Sequence, residues 1–486
     1  MRMRLDQIVE GVASAEIVGD PGLEIAGLAY DSRRVVEGGL FFCVTGMESD
    51  GHEFAPAAVE AGAQALVCER RTGLGVTEVL VPDSRRAMAP VAAAFNGYPT
   101  RDLKVAGITG TNGKTTTAFL LHDILESSGI HCGLMGTVKQ LVGGVEEPVV
   151  RTTPESVDLQ ATFRRMEDSG DEACVLEASS HALVLGRCDS IEFDLAVFTN
   201  LTQDHLDFHS DMEDYFAAKR LLFESGPGAS VVNIDDPYGR RLAADFDAVT
   251  YSAEGAAADY SASDISFDAG GAAFSVESEH GTLSVRTGLP GRFNVANALA
   301  ALAGAIALGI EPAEAVASLS EAGRVPGRFE PIDAGQPFAV LVDYAHTPDS
   351  VDNVLRAARD ITPGRLIAVV GAGGDRDRAK RPLMGRAASQ VADHTVVTSD
   401  NPRSERPEAI IEDILEGIDD RAGVTVEADR SEAIRLAVEM ARPGDTVVIA
   451  GKGHEQGQEF EHGRKIPFDD REVARARLGE LAGSEA

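Results

Sequence analysis

The chain has 486 residues and carries 78 acidic against 44 basic side chains, a net charge of −34 that argues against nucleic acid or an anionic membrane as its partner. A hydrophobic fraction of 44% is ordinary for globular protein, and the length suits about three domains. Five cysteines (Cys43, Cys68, Cys132, Cys174 and Cys188), odd in number and never spaced CxxC, argue against a disulfide framework or zinc site and for buried thiols in a reducing compartment.

The opening MRMRLDQIVEG has no apolar leader core, and no run of about 18 apolar residues occurs, so a soluble, cytoplasmic protein is expected. Residues 1–99 mix short strands and helices and predict a small α/β module. A polar turn, Asp31 to Arg34, precedes a strand over 39–44. A helix from about Phe54 then leads into another strand. On composition alone Ser32 and Arg33 read as turn formers. The breakers in NGYPTRD, Asn96 to Asp102, predict a linker.

Residues 104–117, KVAGITGTNGKTTT, run from an apolar strand through a Gly, Thr and Asn turn into helical spacing. Such a junction offers backbone N–H groups and the positive end of a helix to an anion. Lys114 adds a mobile charge and Thr115 a hydroxyl suited to Mg²⁺, so a triphosphate cradle is predicted. Ile108 stands where the common phosphate loop has glycine. The alternative is a glycine-rich turn with no ligand.

From about 100 to 330 strand and helix patterns alternate, which predicts a mainly parallel sheet. Three apolar runs end in polar clusters: Glu177, Ser179, Ser180 and His181; then Asn200, Asp204, His205 and His209; then Asn233 and Asp235. Ligands of open α/β sheets lie beyond the carboxyl ends of the strands, so these clusters are expected to face one crevice. Residues 252–290 predict an antiparallel appendage. A long Ala-rich helix follows, with Asn294 and Asn297 near its start, either as caps or as contacts to a base. EAGRVPGRFEPI, 321–332, predicts a second linker. Residues 331–486 predict a third, Rossmann-like α/β unit with strands near 338–343, 365–370, 394–398, 424–427 and 445–450. GAGGDR lacks a full dinucleotide fingerprint, and no solenoid repeat is present.

GTNGKTT, LEASSH, NLTQDHLDFH, YFAAKRLLF, FNVANALAA, GRFE, DYAHTPDS, GGDRDRAKRP, DNPR and GKGHEQ stand here in the order found in the Mur ligases, and the chain is identified as resembling that family. The resemblance covers nearly everything beyond residue 100. Its last three blocks resemble the branch that adds the third residue of the peptide stem. It implies three domains: 1–99 for the UDP-sugar, 100–330 for ATP on a P-loop ATPase-like sheet, and 331–486 for the amino acid. It also implies ATP-dependent joining of meso-diaminopimelate to UDP-N-acetylmuramoyl-L-alanyl-D-glutamate through an acyl phosphate, with Mg²⁺; separately, a monomer is expected.

By resemblance, Gly110, Thr111, Asn112, Gly113, Lys114, Thr115 and Thr116 hold phosphates, and Asn294, Arg328 and Asp343 contact ATP, with His346 in the same block. Thr115, Glu177 and His205 match metal ligands, and Lys219 matches the lysine that becomes a CO₂-derived carbamate. On sequence alone His205 also suits a hydrogen-bonded histidine at a strand end, and Lys219 a helix-surface lysine. Ser32, Thr152, Thr153, Ser179 and Arg187 are carried over to the UDP-sugar, while Leu185 is apolar where some relatives are polar.

Meso-diaminopimelate differs from L-lysine by a distal carboxylate, which calls for a cation, beside an ammonium, which calls for acceptors. Arg376, Asp400, Asn401, Pro402, Arg403, Gly451 and Glu455 supply both after neighbouring strands. The alternative for DNPR is a helix-entry turn capped by Ser404. At the level of function the alternatives are the same ligase adding L-lysine, a ligase like folylpolyglutamate synthetase, and a non-catalytic nucleotide-binding scaffold. The N-terminal module and the DNPR and GKGHE blocks weigh against the second. Intact Lys114, Glu177, His205 and Lys219 weigh against the third.

Overall fold

A computed structural model describes residues 2–46, 49–268 and 270–484. The chain folds into two compact units. The first gathers Met1–Thr109, Gly129–Ala196 and Ala218–Ala229; the second gathers Gly110–Ser128, Val197–Ala217 and Ser230–Ala486.

The N-terminal part of the first unit is a five-stranded sheet in the order Glu16–Val18, Thr77–Leu80, Ala63–Cys68, Gly39–Phe42, Leu28–Ala29, parallel except for its first strand. Alternate side chains take opposite faces. Leu40, Phe42, Ala65 and Val67 pack on Met88 and Val91 of the helix Ser84–Phe95, while Phe41, Cys43, Leu66 and Cys68 pack on Ala55 and Ala58. Covering both faces is why these strands are apolar at nearly every position.

The remaining strands of this unit run in the order Val145–Glu147, Gln140–Val142, Cys132–Met135, Ala173–Glu177, Lys104–Thr109. The last three are mutually parallel and the first two form an antiparallel hairpin. The stretch expected to be a linker is packed instead. Tyr98 takes a left-handed φ of 56° before the turn Pro99–Arg101, and the buried Thr100 hydroxyl accepts the Glu192 amide.

In the second unit the helix Lys114–Ser127 packs along the helix Arg292–Ala307. The strands Tyr260–Asp268, Gly271–Ser278 and Gly281–Thr287 form the expected antiparallel appendage. The C-terminal sheet runs Glu330–Pro331, Ala339–Asp343, Thr446–Ala450, Leu366–Val370, His394–Val397, Val424–Val426, parallel apart from the first strand. Its faces again divide by alternation: Leu366, Ala368 and Val370 enter one core, Ile367 and Val369 the other. The second expected linker is structured too, because Val325 is buried and the Gly327 amide donates to Glu330.

All five cysteines are free and buried, and burial pushes the Cys43 thiol up to about 12 and that of Cys68 to about 11. Among the described residues no helix is long and apolar enough to cross a membrane.

Candidate functional site

Gly110 and Gly113 open the second unit's glycine loop with φ of 150° and 88°, a region that L side chains avoid. A Cβ at Gly110 would lie 1.8 Å from Thr199 Oγ1, and one at Gly113 would lie 2.3 Å from Asn297 Oδ1. Only glycine fits either position. The Thr111 amide donates to the Asn200 carbonyl, the Asn112 amide donates to Asn200 Oδ1, and Thr199 Oγ1 donates to the Asn112 carbonyl at 2.6 Å. These bonds hold the loop's shape and commit two amides that the sequence offers to phosphate. Lys114 Nζ donates to the carbonyls of Gly110 and Thr111, both at 2.9 Å, so its charge lies over the loop. Thr115 and Thr116 are buried in the first helical turn.

Arg328 Nη2 donates to Thr115 Oγ1 at 3.0 Å, and its guanidinium lies 4.5 Å from the centre of the Tyr344 ring. Asp343 is buried, with one oxygen accepting the Phe329 amide and the other the Ala345 amide. Burial raises its pKa despite Arg328 and those amides. Asn294 and Asn297 are interior to their helix, whose cap is Gly291, so they are not caps. Asn294 donates to the Pro290 carbonyl and accepts from Asn297. Both asparagines are buried, and Asn297 faces the glycine loop.

Asp204 is a hub that the sequence mentions only in passing. Lys380 Nζ donates to its Oδ1 at 3.1 Å, and its Oδ2 lies 3.5 Å from His205 and 3.7 Å from His346. Burial alone would raise its pKa, but His346, His205 and Lys380 together hold it well below the usual carboxylate range. His205 has φ of 55°. That left-handed φ is sparsely populated for a side-chain-bearing residue and costs about 1–3 kcal/mol that the surroundings must supply.

In the first unit four of the five residues expected at the UDP-sugar come together. Thr153 Oγ1 donates to the Glu177 carbonyl at 2.7 Å and lies 3.1 Å from Ser179 Oγ, and Arg187 Nη1 donates to the Thr153 carbonyl. Thr152 Oγ1 lies 3.1 Å from Thr137 Oγ1, which in turn donates to Glu177 Oε2. Glu177 Oε1 accepts the Thr137 amide. Arg187 pairs with Glu155 at 2.9 Å, and burial lowers its pKa. Ser32 lies on the turn Ser32–Arg34 capped by Asp31, and no side-chain hydrogen bond among the described residues joins it to this group. Lys219 is 1% exposed, one of the largest fully buried side chains, which excludes the surface-lysine alternative.

The residues expected at diaminopimelate gather in the second unit. Arg403 has φ of 49° and anchors itself through Nε to Glu459 and through Nη1 to the Gly374 carbonyl at 2.7 Å. The Gly374 amide donates to the Asn401 carbonyl, and a Cβ at Gly374 would lie 1.9 Å from the carbonyl oxygen of the buried Pro402. Arg376 is exposed, and Arg376 and Arg403 flank Gly373, at 3.8 and 3.1 Å from its ideal Cβ position. Asn401 Nδ2 donates to Glu455 Oε2 at 2.9 Å. Gly451, at φ of 127°, leaves room for Asp400, whose Oδ2 would lie 2.4 Å from an added Cβ.

Ser404 does not cap the following helix, because Arg406 occupies that position and Pro407 opens the helix. Asp375 claims the Ser404 hydroxyl at 2.6 Å. Three buried cations frame this region unforeseen. Arg381 pairs with Glu405 and Asp413, Arg430 pairs with Asp470, and Lys452 reaches Asn401 and Glu455. Arg381 holds the Glu405 carboxyl down at about 2. The only signal for Arg381 and Lys452 was their place inside the AKRP and GKGHE blocks, and Arg430 lies in no such block.

Among the described residues no group of three or more His, Cys, Asp or Glu gathers as a metal-binding cluster. The set expected at Mg²⁺ is of another kind, a threonine, a glutamate, a histidine and a modified lysine.

A lysine and two threonines in register after a glycine turn, on alternating strands and helices, define an α/β nucleotide-binding protein. Three family models match along the chain: Mur ligase family, catalytic domain, over 24–104; Mur ligase middle domain over 108–305; and Mur ligase, glutamate ligase domain, over 327–453. The chain belongs to the Mur ligase family. A protein of Geobacillus thermodenitrificans (strain NG80-2) named UDP-N-acetylmuramoyl-L-alanyl-D-glutamate–2,6-diaminopimelate ligase is 49% identical over 95% of this chain and 96% of its own. One of the same name from Syntrophomonas wolfei is 44% identical over 97% and 98%. A solved structure of a ligase of that name is similar with a TM-score of 0.69 at 34% identity, covering 99% of this chain and all of its own.

Proposed function

We infer that the chain is an ATP-dependent ligase that adds meso-diaminopimelate to UDP-N-acetylmuramoyl-L-alanyl-D-glutamate in peptidoglycan precursor synthesis. The observation that carries this is likeness along almost the whole chain, at 44–49% identity, to relatives bearing that name. In such a reaction ATP gives its γ-phosphoryl group to the glutamyl carboxylate, leaving ADP and an acyl phosphate. The incoming amine attacks the acyl carbon, loses its proton, and inorganic phosphate departs. The chemistry asks for positioning, neutralised phosphoryl charge and exclusion of water.

We assign 1–99 to the UDP-sugar, 100–330 to ATP and 331–486 to the amino acid. Residues Gly110 to Thr116 hold the phosphates, and Asn294, Arg328 and Asp343 complete the ATP site. The Lys114 charge over the loop supports the phosphate role. Asp343, with both oxygens on backbone amides, also holds the Phe329 turn beside Arg328. Ser32, Thr152, Thr153, Ser179 and Arg187 take the UDP-sugar. The hydroxyls and guanidinium that meet around Thr153 suit pyrophosphate and carboxylate oxygens.

Thr115, Glu177, His205 and Lys219, the last as a carbamate, are the residues that would hold Mg²⁺. The burial of Lys219 fits, since a carbamate turns a buried cation into an oxygen donor. When bound, the ion supplies positive charge to the phosphoryl oxygens. Arg376 and Arg403 take the distal carboxylate of diaminopimelate. Asp400, Asn401, Pro402, Gly451 and Glu455 shape the pocket and accept the adjoining ammonium. We assign the enzyme to the cytoplasm, as a monomer.

Phosphate release from ATP, measured with the UDP-dipeptide and each of meso-diaminopimelate, L-lysine and L-ornithine, tests the assignment. Release should require both co-substrates. Its kcat/KM should favour diaminopimelate by roughly tenfold or more, the cost of leaving the arginines unpaired. Release that ignores the UDP-dipeptide, or that favours lysine, would contradict it.

A further inference from the structure

Lys452 is 0% exposed, yet no assigned role uses it. Its ammonium donates to Asn401 Oδ1 at 2.7 Å and to Glu455 Oε2 at 3.0 Å, and lies 3.5 Å from Asp400 Oδ1. Asn401 Oδ1 also accepts the Glu459 amide at 2.9 Å. With two donors on its oxygen, the Asn401 amide has one orientation, and its nitrogen must donate, which it does to Glu455 Oε2 at 2.9 Å. Glu455 is therefore pinned through Oε2 by two donors. Among the described residues no hydrogen bond occupies Oε1, and the side chain is 30% exposed.

Lys452 also pairs with Asp400, and Arg430 with Asp470, so the accessible acceptor of this group is Glu455 Oε1, which suits a substrate ammonium.

We propose that Lys452 is a positioning residue for amino-acid specificity, fixing Asn401 and Glu455 so that Glu455 Oε1 is presented to the ammonium of the incoming diamino acid. It touches no substrate itself. The proposal rests on the ligase assignment above and names the support of its third-substrate pocket.

Lys452→Met keeps most of the side-chain volume and removes the charge. In the full-length enzyme it should raise KM for meso-diaminopimelate roughly 10- to 100-fold, the loss of hydrogen bonds to a charged group. KM for ATP and for the UDP-dipeptide should stay within about twofold of the parent. In a Glu455→Gln background the same change should add little, because Lys452 acts through Glu455. An unchanged KM for diaminopimelate, an equal rise for all three substrates, or full additivity with Glu455→Gln overturns the proposal.

Should Lys452→Met not fold, side-chain NMR of the unsubstituted enzyme decides. The Lys452 ammonium resonance should shift when meso-diaminopimelate joins the UDP-dipeptide and a non-hydrolysable ATP analogue, and should not shift with the nucleotide alone. No shift at saturating diaminopimelate also overturns it. If the parent enzyme releases no phosphate with any amino acid, the ligase assignment fails. If it does and Lys452→Met is indifferent, only the Lys452 proposal fails.

Discussion

A lysine side chain with 1% of its surface exposed, as Lys219 is, costs stability unless its charge is paired or chemically changed. With the carbamate assignment, Lys219→Ala should lower kcat roughly hundredfold or more. Excess bicarbonate should not restore activity, whereas a short carboxylic acid should restore part of it; unchanged turnover would refute the carbamate. At Arg403, Nε and Nη1 are already bonded to Glu459 and Gly374, so the guanidinium is oriented before any ligand arrives. Arg403→Met should raise KM for diaminopimelate at least about tenfold while leaving KM for L-lysine nearly unchanged, which steady-state kinetics with both amino acids will show. Gly451→Ala meets both a φ of 127° and an Asp400 oxygen 2.4 Å away. It should cost about 1–3 kcal/mol in urea unfolding, and a neutral result would contradict the packing.

At the scale of elements, the strands were legible because their chemistry is local. Runs such as LIAVV and TVVIA read as strands covered on both faces, and they form at Leu366–Val370 and Thr446–Ala450. Pairing between distant segments left no such trace. Lys380 meets Asp204 across 176 positions and Arg430 meets Asp470 across 40, and no periodicity announces either. The alternative of a Ser404 cap fails for a related reason: a cap is local, but Asp375, 29 residues earlier, competes for the hydroxyl.

These distant pairs carry a pH signature. Glu405 has its pKa lowered to about 2, chiefly by its hydrogen bond to Arg381, so in acid the unfolded chain binds the proton first. Its contribution to stability is complete above the ordinary value near 4.5 and is lost as pH falls towards 2. Asp204, also lowered, adds with the same sign, while Asp343, raised by burial, opposes it. Urea midpoints across this window should fall with pH in the parent and fall less in Arg381→Met. Parallel curves would show that the Arg381–Glu405 pair is not coupled to folding.

For the molecule as a whole, three α/β parts were legible, and the three family models fall in the same order along the chain. What the sequence concealed is how firmly the connections are built in, since both stretches expected to be linkers carry buried residues. The acidic excess of −34 leaves few cations, and those near the amino-acid pocket are spent largely in pairs. The central claim is the choice of third substrate. Incubating the enzyme with ATP, Mg²⁺, UDP-N-acetylmuramoyl-L-alanyl-D-glutamate and equimolar meso-diaminopimelate and L-lysine, and weighing the products by mass spectrometry, tests it directly. The account predicts the diaminopimelate tripeptide in large excess; a lysine tripeptide in equal or greater amount would contradict it.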